Sequence, residues 1–436
     1  DSEDMITLQA GLLLDDEDDV DNVSTTDITE IVVEGAGTVN IEDLKADVDA
    51  SAFAGQLEIT RGQITGEAID DVDIIVGSEG ALVDLGQALN ETYIDASNMA
   101  AASNLSLLGD NASVLVDRVA SGAVIDASGS GVTPLTGAME VITLDGATDV
   151  DVLTGTAITS VTSNNGSVGV DATELTATMT LVGGSAFTVT ELETDVIASA
   201  TTGDVTITTG EITGVDGTTP KLTVTAGSGN FTINGDDSIE ANITILDITV
   251  NADLLSDTNS DVDLLLTGDA EYLIVNDSAT GEVTIDASAL EADGGLTLSG
   301  SGDFRLVNTT RDVEAPNLTG RLTVETDEGT ENNITVTAGS GFLGVDAKDA
   351  NDEITVEAEN LVDDENDDES ALGANSSTDA WELAAEGAGS VIVNDLDADL
   401  DAGQLQGALT ANVTFGYDVD IRLNQAASTI NTGSTN

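Results

Sequence analysis

Three groups of carboxylates are dense enough to suggest chemistry. Asp15, Asp16, Asp18 and Asp19 share a run with Glu17, Asp363, Asp364 and Asp367 share a second, and Asp395, Asp397, Asp399 and Asp401 alternate with other residues. Hard cations such as calcium are held by oxygens from Asp, Glu, Asn and backbone carbonyls, which acidic turns supply. Read as a strand, the alternation at 395–401 places four carboxylates on one face, a ladder that repels itself without a bridging cation. These residues are the candidate metal ligands, and calcium is the candidate cofactor. The bland alternative is an acidic face solvated in a salty medium. Neither the Gly-Gly-x-Gly-x-Asp repeat nor the EF-hand loop is present, so the metal rests on charge alone.

Other chemistries are excluded by residue type. The chain has no histidine and no cysteine, which removes a His-based nucleophilic triad, a His or Cys zinc site and any disulfide. Paired-carboxylate catalysis is uninformative among 83 acidic residues, and aromatics, at 2%, are too few to wall a sugar cleft. The glycines form Gly-Ser-Gly and Gly-Ala-Gly turns without the following Lys of a phosphate loop. The expectation is a protein without a catalytic site.

Charge limits the partners. Nine Lys and Arg against 83 Asp and Glu give a net charge of −74, so the chain repels itself unless cations or salt screen it. Nucleic acid and anionic lipid are disfavoured, because binding them relies on Lys and Arg. No apolar run is long enough for a transmembrane helix. The start at Asp1 reads as a mature product from which a targeting peptide has been removed.

The elements that must position these residues are repetitive. Glu34–Thr60 matches Glu386–Asn412 without a gap, and a phrase of Asp-Ala-Ser type recurs at Asp49, Asp95, Asp126, Asp171 and Asp286. Asp171, Asp286 and Asp401 are 115 residues apart and Asp49 and Asp95 are 46 apart, both multiples of about 23 residues, in the range of a solenoid coil. The phrase at Thr223–Gly229 returns at Thr335–Gly341. Segments such as Gly203–Glu211 and Lys221–Asn234 alternate β-branched and polar residues between Gly, Asp and Asn turns, as short strands do. The fold class expected is all-β, a parallel β-solenoid or β-helix, with tandem β-sandwiches as the alternative. The division expected is an acidic N-terminal segment at 1–30, a repetitive β region at 31–360, an acidic loop at 361–380 and a C-terminal β repeat at 381–436. Thr378–Ala385, around Trp381, reads as a short helical turn. Asn-x-Ser/Thr sequons occur at Asn22, Asn90, Asn104, Asn111, Asn165, Asn230, Asn242, Asn276, Asn308, Asn317, Asn333, Asn375 and Asn412, candidate glycan sites in a source that modifies asparagine.

The Asp-Ala-Ser/Thr phrases at Asp49, Asp171 and Asp286, in a Thr-, Val-, Gly- and Asp-rich chain without cysteine, resemble the repetitive regions of bacterial surface-layer proteins. The resemblance implies a secreted structural subunit that assembles with copies of itself into a cell-surface lattice, with calcium bridging domains or subunits. A cell-surface glycan or lipopolysaccharide is a further candidate partner. The alternatives are a fibrous adhesin or phage fibre stalk that binds a surface ligand, and an enzyme such as a polysaccharide lyase on a β-helix, for which basic residues are too few.

Overall fold

The computed structural model describes residues 5–13, 30–62, 72–86, 92–109, 113–129, 134–157, 159–210, 222–235, 248–252, 255, 264–268, 271–277, 281–290, 295–329, 331–361, 381–414, 419–423 and 427–432. The chain is an all-β parallel β-solenoid, with no helix among the described residues. It divides into two compact units, Asp1–Glu211 and Ile212–Asn436. In each, the chain passes alternately through two parallel sheets, so that two strands and their corners make one coil.

In the first unit one sheet runs through ten described strands, from Met5–Gln9 to Val205–Thr209, and the other through nine, from Ile31–Val32 to Val196–Thr201. Met5–Gln9 is a strand inside the acidic N-terminal segment and pairs with Thr38–Leu44. The second unit has one sheet of nine described strands, from Phe231–Gly235 to Ile421–Leu423, and one of ten, from Leu222–Thr225 to Ser428–Thr432. Parallel pairing requires a crossover between partners. Here the crossover is the strand of the opposite sheet.

The sequence forms these strands because β-branched residues recur at every second position. In Asn333–Thr337 and Glu353–Glu357 the inward residues are Ile334, Val336, Ile354 and Val356, all at most 2% exposed. Coils stack in register, so inward residues form columns such as Ile41, Ile59, Val83 and Leu107. Full burial of each such side chain stabilises by about 1.5–3 kcal/mol relative to exposure. Two facing sheets leave little room for rings, which is why aliphatic residues fill most of the interior.

Coil length averages what the repeats indicate but is uneven. Asp286 and Asp401 are five coils apart and Asp49 and Asp95 two coils apart, about 23 residues per coil in both cases. Yet the pairs Ile285/Leu306, Leu306/Val324, Val324/Val345 and Val345/Ala385 are steps of 21, 18, 21 and 40 residues. The longest step contains the acidic segment at 361–380.

Among the described residues, five strands end on a break in alternation that takes a positive φ. Glu42–Asp43, Asp117–Arg118, Thr190–Glu191, Val307–Asn308 and Asn394–Asp395 each place two residues outward before the next inward one. The second of each pair has φ between +53° and +57°. The extra residue is a bulge that bends the strand into the corner. Of the helical turn expected at Thr378–Ala385, residues 378–380 lie outside the described residues, and 383–385 belong to the strand Leu383–Gly387, because Leu383 and Ala385 pair with Leu343 and Val345 of the preceding coil.

Candidate functional site

At Asp49, Asp95, Asp126 and Asp171 the Asp-Ala phrase ends a strand and turns the corner, whereas at Asp286 and Asp401 it forms a bulge within a strand. At Asp49, Asp95, Asp126, Asp171, Asp286 and Asp401, Oδ1 accepts the backbone N–H two residues on, at 2.7–3.1 Å. Asp84 does the same for Gly86 at 2.9 Å. The carboxylate thereby satisfies an amide that the ladder no longer reaches. The following alanine, Ala50, Ala96, Ala127, Ala172, Ala287 or Ala402, is buried where the chain turns inward. Three residues later an apolar side chain re-enters the core, as at Phe53, Met99, Leu175, Leu290 and Leu405. Phe53, Met99 and Leu175 also donate their N–H to the carbonyl of that alanine.

A second use of carboxylates joins neighbouring coils. Glu30 Oε2 accepts the N–H of Asp47 at 3.0 Å, and Asp47 Oδ1 accepts the N–H of Asp73 at 2.8 Å. The matching repeat reproduces this: Glu382 Oε2 accepts from Asp399 at 2.9 Å, and Asp399 Oδ1 from Asp420 at 2.7 Å. Asp303 and Asp312 likewise accept the N–H groups of Arg321 and Thr335. Asp352, fully buried, accepts from Asn332 N, Asp349 N and Thr326 Oγ1.

These geometries correct the reading of Asp395, Asp397, Asp399 and Asp401 as one strand face. Asp395 is the bulged residue of Ser390–Leu396, Asp397 and Asp399 lie in the corner, and Asp401 belongs to Leu400–Leu405 in the opposite sheet. Asp399 and Asp401 are hydrogen-bonded to backbone, and Arg422 Nη1 lies 3.2 Å from Asp401. Among the described residues no group of three or more His, Cys, Asp or Glu is arranged to hold a metal ion. Asp15, Asp16, Asp18, Asp19, Asp363, Asp364 and Asp367 lie outside the described residues.

Among the described residues the few cations are engaged inside the chain. Arg118 pairs with Asp95 and Asp117, and Lys45 with Asp43. Arg305 donates Nε and Nη2 to Glu325 Oε1 at 2.8 and 2.6 Å, while Lys348 lies 2.9 Å from Glu325 Oε2 and 2.5 Å from Asp346. Burial pushes the Glu325 carboxyl up, but hydrogen bonds and charges from Lys348 and Arg305 outweigh it and hold the group below the usual range. Burial pulls the Lys348 ammonium down, and Asp346 and Glu325 more than reverse this. Burial drives the Tyr93 phenol upward, reinforced by its 2.7 Å hydrogen bond to Asp117. Arg311 donates to the Leu290 carbonyl, and the Arg321 guanidinium sits 4.3 Å over the Phe342 ring.

The sequons separate by exposure. Asn104, Asn165, Asn230, Asn317 and Asn333 are exposed, whereas Asn276 is buried and donates to the Asp303 carbonyl. Asn308 is a bulged residue and Asn412 is hydrogen-bonded between its neighbours. Asn22, Asn90, Asn111, Asn242 and Asn375 lie outside the described residues. No family model, curated protein or solved structure matches this chain.

Proposed function

We propose that the chain is a secreted structural subunit that self-assembles into a cell-surface layer, with calcium or other cations bridging acidic faces. The observation that carries this reading is the disposition of charge on a repetitive β-solenoid. Arg118, Arg305, Lys348 and Arg422 are paired with acids of their own chain, so they neutralise local pairs and leave a large acidic excess without a cation of the same chain. Two such surfaces approach each other only when ions screen or bridge them.

The bridging ions sit between acidic faces of different copies in this reading. It therefore asks for no closed ligand set within one chain. The corner and coil-joining carboxylates stabilise the solenoid, and the remaining acids are available for intermolecular bridging.

Electron microscopy of the purified chain at low salt, with and without millimolar calcium, tests the reading. Ordered sheets or tubes that appear only with calcium support it. Separate particles in both conditions overturn it in favour of a stalk that presents a binding tip, as in an adhesin or phage fibre.

A further inference from the structure

We draw no further inference here: the strongest candidate, the apolar patch on the edge strand Met5–Gln9, where Ile6 is exposed although its counterpart Ile354 in the matching coil is buried, carries nothing, because nothing in the structure shows what covers it.

Discussion

Asp399 Oδ1 accepts the backbone N–H of Asp420 at 2.7 Å, one coil further along the chain. Asp47 does the same for Asp73, 352 residues earlier in the matching repeat. An acid read from sequence as a metal ligand is thus the acceptor that ties one corner to the next.

Asp399→Ala should destabilise the chain by roughly 1–2 kcal/mol, the cost of leaving a corner amide without its acceptor, while Asp399→Asn should recover much of it. The measurement is hydrogen exchange at the Asp420 amide together with the urea midpoint. Unchanged protection at Asp420 in the Ala variant would show that the bond contributes nothing.

The alanine after each phrase aspartate is buried against the core, and a larger side chain there must displace its neighbours. Ala287→Leu should lower stability by about 1–3 kcal/mol through overpacking. Ala287 is fully buried, whereas Ser288 beside it is exposed, so Ser288→Leu serves as a control expected to stay within about 0.5 kcal/mol of wild type in thermal unfolding.

The cluster of Arg305, Glu325, Asp346 and Lys348 should give stability a defined pH dependence. The Glu325 carboxyl is depressed in the folded chain, so its contribution is present above the ordinary glutamate range and is lost as pH falls through the lowered folded value. The Lys348 ammonium is raised, so its contribution is present below the ordinary lysine range and is lost as pH rises through the folded value. Glu325→Gln should flatten the acid limb of a denaturation-midpoint profile and cost about 1–3 kcal/mol at neutral pH, since it removes a charge-assisted acceptor from both cations. An acid limb identical to wild type would exclude Glu325 as its source.

Screening should stabilise the monomer whether or not it assembles. The urea midpoint of dilute protein in chelator should rise as sodium chloride is increased, because the net charge of −74 opposes the compact state most at low ionic strength. A midpoint independent of salt would show that self-repulsion does not limit stability.

The sequence by itself determined the strand type, the coil scale and the corners. Alternating Val, Ile and Leu state which face is buried, because side chains along a strand alternate strictly. Asp-Ala followed three residues on by an apolar side chain, as at Asp95–Met99 and Asp171–Leu175, carries a corner whole, because both the Asx hydrogen bond and the small inward alanine are local. Tertiary structure alone decided how coils of unequal length come into register. That pairing makes 383–387 a strand where local pattern suggested a helical turn, and it adds the bulge at Asp395 that carries Asp401 into the opposite sheet. It also decided which acids are acceptors for a neighbouring coil and which of them meet Arg305, Lys348 or Arg422. Those are properties of side chains about 20 or more residues apart, joined only when the coils stack.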